Sequence, residues 1–367
     1  MNKIRIQSII KRQQETYDLE HKRLGQLYKA IVLPKQVDSS ELFLKFTNTD
    51  TDNNNQTFNE DMIPKPNASL IKQRGINRLV NVYQLKYKND EDVTGFGDFI
   101  RGCFYMLYVC EICNLNYNIV VNHPVSRFLK NNDGLVFPDQ LLSSIRRCKK
   151  NNCEDPRPDK FRRIQTIFDQ QINSDFVSYL CDDTQVVQNA AFIYNIIYPY
   201  HKISQQHKLI MQKKLLPSDE MESIINENLL TLGIKEKEYC VLHIRNDDYT
   251  TNNVGSPITK NYMARLCGDI NEIVKYNENI LLISNNLHLK RILHLLYPSF
   301  KMTFNEPTHL NENIKENLVV NTMLDFYLMA RSYLICCLST YIHGSGFSQW
   351  CAEMYNIKYD CRYCNNL

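Results

Sequence analysis

Hydrophobic and polar positions along this chain fall into two runs of alternating strand and helix, preceded by a stretch with neither. From Arg78, "RLVNVYQLKY" predicts a strand ending by Tyr87, and Phe99 to Cys113 an apolar helix. "YNIVVNHP" predicts a strand closed by Pro124, and "TQVVQNAAFIY" one more strand. In "LLPSDEMESIINENLLTLGI", Pro217 and Ser218 open a helix with acids in its first turn, and Gly233 ends it. The second half is sharper. "YCVLHIR" (239–245), "NILLISNN" (279–286), "KMTFN" and "YLICCLST" read as strands, separated by the helices "SPITKNYMARLCGDINEIVKY", "LHLKRILHLLYP" and "NLVVNTMLDFYLMARS". Strands alternating with helices of this length predict parallel sheets with helical crossovers. The expected organisation is two Rossmann-like α/β domains, 78–232 and 233–367, joined near 217–238 and facing a cleft. Ligands then belong at the carboxyl ends of the strands.

Before Arg78 the pattern changes. Residues 1–32 have helix-forming composition with charge on most faces, which suits an appendage or a helix that meets a partner. Residues 47–69 are polar, carry two prolines and show no period, and read as a flexible loop, so that ordered folding begins near Arg78.

Composition narrows the picture. A 367-residue chain that is 43% hydrophobic is long enough for sizeable cores. A net charge of +3 gives no global case for a nucleic-acid partner. The segment 145–163 holds eight basic and three acidic residues and reads as a solvated loop or an anion or acceptor site. No run approaches the roughly 18–20 apolar residues of a membrane span. Thirteen dispersed cysteines and no signal-peptide core at the Met1 end suit reduced thiols in a cytoplasmic setting. Cys148 and Cys153, with Cys361 and Cys364, are four thiols to weigh as a zinc site against ordinary buried or surface thiols.

Candidate chemistry sits where polar groups follow buried strands. "YCVLHIR" runs into "NDDY", so His243, Arg245 and Asp248 emerge at a strand end, with His243 and Arg245 on one face. Such an Arg offers a planar fork for phosphate or carboxylate. "NILLISNN" ends at Asn285 and Asn286, amides that bind a base or ribose edge or cap the next helix. After "YLICCLST", the turn Gly344–Ser345–Gly346 leads to a helix from about Phe347, whose free N–H groups make an anion site near Ser345, Gly346, Phe347 and Ser348. "GFGDFIRG", with Gly95, Gly97, Asp98 and Arg101, is a further glycine loop that matches neither a phosphate-binding Walker loop nor a dinucleotide fingerprint. The combination suits a nucleoside diphosphate.

Four of these segments, in order over roughly residues 80–356, resemble the GDP-fucose-dependent fucosyltransferase superfamily, which includes α1,2-, α1,6- and protein O-fucosyltransferases. "GFGDFIRG" resembles its N-terminal glycine loop, "HIRNDDY" its H-x-R-R-x-D element, and "LLISNN" its middle strand. "DFYLMARSYLICCLSTYIHGSGFSQWCAEM" is similar to its D-F-x-L-M-S … S-S-F-S-x-W element. The resemblance implies a GT-B fold and a metal-independent inverting transfer that needs no cofactor beyond the nucleotide-sugar donor. Carried over, it implies that Arg245 meets the donor β-phosphate and His243 the nucleotide sugar. Asp248 would match the element's acid, and Ser345–Ser348 the phosphate-facing turn. Asn246 stands where a second Arg is usual and Asn286 where an acid is. Arg101 is the candidate to offset the missing charge, and Asp98 the candidate base. The acceptor would be a glycan or a protein. Two other classes stay open: a relative that binds a glycan or nucleotide without transfer, favoured by the two Asn replacements, and a nucleic-acid-binding module using 145–163.

Overall fold

The structure is a computed structural model that describes residues 68–85, 93–130, 185–197, 199, 203–246, 260–303, 306–308, 310, 318–341 and 344–364. The expectations for residues 1–32, for most of 47–69, for 145–163 and for Asp248 lie outside these residues. Among the described residues, no helix is long and apolar enough to cross a membrane.

Two sheets carry the fold, both within one compact unit, Asn59–Leu367. The first has the order β2-β1-β4-β3, with β1 (Arg78–Gln84), β2 (Asn116–Asn122) and β4 (Ala190–Ile193) parallel and β3 (Gln185–Val187) antiparallel at the edge. The second comprises β5 (Cys240–Arg245), β6 (Ile280–Ser284), β7 (Lys301–Met302), β8 (Leu334–Ser339) and β9 (Lys358–Tyr363). It is wholly parallel, in the order β7-β6-β5-β8-β9. Numbered within this half the order is 3-2-1-4-5, the doubly wound pattern. It reverses direction between β5 and β8, and in such sheets ligands bind outside the carboxyl ends of the strands at that point.

The helices are α1 (Ala68–Gln73), α2 (Phe96–Cys113), α3 (Gln205–Lys214), α4 (Asp219–Leu232), α5 (Lys260–Val274), α6 (Leu287–Leu296), α7 (Val319–Ala330) and α8 (Gly346–Tyr355). Helix α4 has the predicted ends: Ser218 Oγ accepts from Met221 N–H, and Gly233 closes the helix at φ +64°. Along β5, β6 and β8 the side chains alternate between two cores. Cys240, Leu242, Ile244, Ile280, Leu282, Cys336 and Leu338 pack with α5 and α6. Val241, Leu281, Ile283 and Ile335 join a larger core that also takes in Val80, Val82, Phe96, Phe99, Phe326, Trp350 and Met354. The two sheets therefore share hydrophobic substance, with α2, α7 and α8 between them. Helix α2 buries 13 of its 18 residues, which makes it a core helix rather than an amphipathic surface one. Each large side chain so enclosed contributes about 1.5–3 kcal/mol.

Four elements depart from the sequence reading. Helix α1 precedes Arg78 because Ile71 is needed in the small core of Ile76, Leu79, Tyr105 and Val109. "TQVVQNAAFIY" is a hairpin rather than one strand, since Gln188 (φ 49°) and Asn189 (φ 63°) both take the left-handed conformation of a two-residue turn. Helix α3 buries only His207 and Met211, which leaves little periodic signal. Strand β9 is an edge whose Lys358, Asp360 and Arg362 hide its strand character.

Candidate functional site

The carboxyl ends of β5 and β8 are the place to build from. Register pairs His243 with Cys337, and Cys337 in turn with Cys361, in one row across β5, β8 and β9. His243 is buried, and its Nδ1 lies 2.9 Å from Ser348 Oγ in the first turn of α8. Burial, reinforced by the Arg245 charge, pushes its pKa down to about 3, so the ring is neutral near pH 7. Arg245 follows two residues on, at the strand end, with its guanidinium 5.5 Å from the centre of the Tyr341 ring. The Arg245 carbonyl accepts from Thr340 N–H at 3.0 Å, and this joins the ends of β5 and β8 just where the sheet order reverses. Thr340 Oγ1 is buried there with no hydrogen-bond partner.

Helix α8 starts at Gly346. Its N-cap, Ser345, makes no side-chain capping bond, so the first-turn N–H groups are left for other acceptors. Helix α2 likewise starts at Phe96 behind Gly95 with no side-chain cap. The expected glycine loop is therefore mostly helix: Phe96, Gly97 and Asp98 form the first turn of α2, three residues earlier than Phe99. The two uncapped ends meet. A Cβ on Gly97 would lie 2.4 Å from the Gly346 carbonyl carbon and 2.6 Å from Phe347 N, so no side chain fits. Two positive helix ends abut here, beside the Arg245 strand end, and such a place favours negative charge. Asp98 supplies part of it. Its carboxylate lies 2.9 Å from Arg101 Nη1 and would sit 3.8 Å from a Cβ on Gly346.

Several predicted roles change. Gly97 faces protein backbone, not open ligand space, whereas a Cβ on Gly95 would meet nothing within 4 Å. Arg101 is held by Asp98 and by the Ile196 carbonyl, to which its Nε donates at 2.9 Å, so it already has structural duties. The Asn285 amide is committed to backbone: Oδ1 accepts from Asn246 N–H at 3.0 Å and Nδ2 donates to the Asn246 carbonyl at 3.1 Å. Asn286 Oδ1 caps α6 by accepting from Leu289 N–H, the helix-cap alternative for that residue. Asn246 accepts from the Tyr262 hydroxyl at 2.6 Å. The structure thus gathers Gly95, Gly97, Asp98, Arg101, His243, Arg245 and Ser345–Ser348 near two helix ends and two strand ends, and gives Asn285 and Asn286 to local architecture.

Other residues appear that the sequence reading did not single out. Lys290 is fully buried and its Nζ donates to Thr303 Oγ1 at 3.2 Å, while Thr303 donates to Asp325 Oδ1 at 3.4 Å. Burial raises the Asp325 pKa to about 6 against the attraction of Lys290, and burial lowers that of Lys290. The one available signal was a charged residue in the apolar stripe of each helix, Lys290 in α6 and Asp325 in α7. Zinc finds no support in the placement of Cys361 and Cys364. Cys364 packs in the α5–α6 core and donates to Asp269, whereas Cys361 joins Cys337 on the opposite face; Cys148 and Cys153 lie outside the described residues. Among the described residues no three His, Cys, Asp or Glu side chains converge on a metal position.

No protein-family model matches the chain, and no curated protein does. Solved structures are similar to it. One is the NodZ α-1,6-fucosyltransferase soaked with GDP-fucose, at TM-score 0.44 and 10% identity over 76% of this chain and 92% of that one. A second is fucosyltransferase NodZ from Bradyrhizobium, at TM-score 0.43 and 11% identity over 75% and 92%. A third is POFUT1 in complex with GDP-fucose, at TM-score 0.39 and 10% identity over 78% and 97% of the respective chains.

Proposed function

We propose that the chain is a glycosyltransferase that moves a sugar, fucose from GDP-fucose, to a hydroxyl of a glycan or protein acceptor with inversion and without a metal. One observation carries this reading. At the switch point of a 3-2-1-4-5 sheet, Arg245 leaves β5 beside the uncapped first turn of α8, whose Ser348 also fixes His243. In the transfer, an acceptor oxygen attacks the anomeric carbon from the face opposite the phosphate. The carbon–oxygen bond to the β-phosphate breaks, and its electron pair stays on the departing diphosphate. Arg245 and the α8 N–H groups stabilise that growing charge, which is where fixed donors accelerate a reaction most. Neutral His243 adds no charge and acts as a hydrogen-bonding wall. Asp98 takes the proton lost by the acceptor hydroxyl.

The reading without transfer has one observation in its favour. Both amide groups of Asn285 and the Oδ1 of Asn286 are spent on backbone, which leaves fewer amide groups for a base edge. Calorimetry with GDP and a transfer assay separate the two. The transferase reading expects GDP to bind and fucose to appear on an acceptor with inverted configuration, with turnover surviving EDTA. Arg245→Ala is expected to weaken GDP by about 2–5 kcal/mol, the scale of losing one member of a buried charge-assisted contact. GDP affinity unchanged by Arg245→Ala removes the phosphate role.

A further inference from the structure

The row His243–Cys337–Cys361 holds a pair of thiols that the transfer chemistry does not use. Cys337 and Cys361 stand directly opposite in the parallel register of β8 and β9, side chains on the face that α8 covers. Neighbouring strands lie about 4.8 Å apart, inside the roughly 4.4–6.8 Å span of Cα atoms that a disulfide bridges. The surroundings of the two thiols differ sharply. Cys361 is exposed, and Cys337 is enclosed, with Sγ 3.9 Å from His243 Nδ1. Cys361 Sγ presses on the turn before α8: a Cβ on Gly344 would lie 2.6 Å from it, and Gly344 is held at φ +73°.

We propose that Cys361 and Cys337 form a thiol modification site, in which Cys361 reacts with a peroxide and Cys337 resolves the product as a disulfide linking β8 to β9. In the first step the Cys361 thiolate attacks one peroxide oxygen. The O–O bond breaks, hydroxide leaves, and the sulfur becomes a sulfenic acid. In the second step Cys337 sulfur attacks that sulfur, the S–O bond breaks, and water departs with the Cys337 proton. Two thiols lose two electrons and one peroxide becomes two waters. The neighbouring Cys337 thiol pulls the Cys361 pKa down to about 7, which raises the thiolate fraction at neutral pH. The disulfide draws Cys361 Sγ off Gly344 and Cys337 Sγ off His243, so oxidation reaches the turn that launches α8.

A second pair in the same sheet is an internal control. Cys240 and Cys336 lie 3.9 Å apart, sulfur to sulfur, but both are buried on the opposite face among Leu242, Leu282 and Leu338, away from solvent oxidants. Proximity alone would oxidise both pairs; proximity with access selects the first.

The test uses the full native chain treated with hydrogen peroxide, followed by peptide mapping and by emission from Trp350, the sole tryptophan, which lies in α8. A Cys337–Cys361 disulfide is expected, reversed by dithiothreitol, with a change in Trp350 emission that C361S abolishes. Iodoacetamide at pH 7 is expected to label Cys361 at least about tenfold faster than Cys240 or Cys336. In Cys337→Ser, dimedone should capture the unresolved sulfenic acid on Cys361, and the same capture failing in a folded Cys337→Ser chain counts against the proposal. Absence of the Cys337–Cys361 disulfide, its replacement by Cys240–Cys336, or an emission change that persists in C361S overturns it. None of these readouts involves a nucleotide, so the outcome stands apart from the function proposed above.

Discussion

Gly97 and Gly346 touch backbone to backbone, and a Cβ on Gly97 would come 2.4 Å from the Gly346 carbonyl carbon. The obstacle is main chain, which cannot rotate away as a side-chain tip can. Gly97→Ala is therefore expected to destabilise the protein by about 1–3 kcal/mol, the usual cost of overpacking. Gly95→Ala adds a methyl where nothing lies within 4 Å, and it should stay within about 0.5 kcal/mol of the parent. Urea unfolding of the two variants measures both. Equal stability in the two variants means the helix ends are not clasped.

His243 gives a pH signature. Its folded pKa, about 3, is below the ordinary 6.5, so the unfolded chain takes up the proton first as pH falls. Its contribution is unchanged above pH 6.5 and becomes destabilising below it, by about 1.4 kcal/mol per pH unit. Asp325 runs the other way: its raised pKa, about 6, favours the folded state as pH falls from 6 towards 3.8. A comparison with His243→Asn cancels the Asp325 term. From pH 7 to pH 5 the parent should lose about 2 kcal/mol more stability than the variant. A His243 ring that titrates near 6.5 by NMR would refute the assignment.

Lys290→Met leaves Asp325 buried without its counter-charge. Removing one partner of a buried pair costs about 3–5 kcal/mol. The loss should depend on pH in a definite direction. Asp325 without Lys290 is easier to keep protonated, so its pKa climbs further. The variant should be closest to the parent near pH 5 and fall behind as pH rises through 7. A pH-independent deficit would mean that packing, not charge, holds Lys290 in place.

Asp98→Asn tests the proton acceptor of the proposed transfer. Asn can still lie beside Arg101 and occupy the first turn of α2, so fold and GDP affinity are expected to hold. Transfer should drop by roughly 100-fold or more, the scale of losing a general base. Full transfer activity in the variant assigns Asp98 to positioning Arg101 only.

Much of this was legible in the chain. Strands β5, β6 and β8 are buried on both faces and show as continuous apolar runs, and the ends of α4 were marked by Ser218 and Gly233. Turn chemistry misled where Gln188 adopts a left-handed conformation in place of the Gly or Asn that such a turn usually takes. The site was legible by strand end but not by partner. Period two puts His243 and Arg245 on one face, yet nothing local says that Ser348, 105 positions later, fixes the His. The glycines of "GFGDFIRG" read in the sequence as a loop for a ligand, and Gly95 does have open space beside it. What approaches Gly97 is another helix, and what approaches Gly102 is the Asn195 carbonyl, 1.7 Å from where a Cβ would stand. Asn285 and Asn286 stood in the sequence as ligand amides or helix caps, and a sequence cannot show that Asn285 bonds Asn246 through both groups or that Asn286 Oδ1 caps α6.

Two-sheet enzymes often admit and release substrates by swinging one half about a hinge. The clasp at Gly97 and Gly346 ties the helix that follows β1 to the helix that follows β8, and both lie in a single apolar core. A hinge here would have to part backbone from backbone and wet Phe96, Phe326 and Trp350. Such a motion would expose the core that the two sheets share, so α2 and α8 are expected to move as one body.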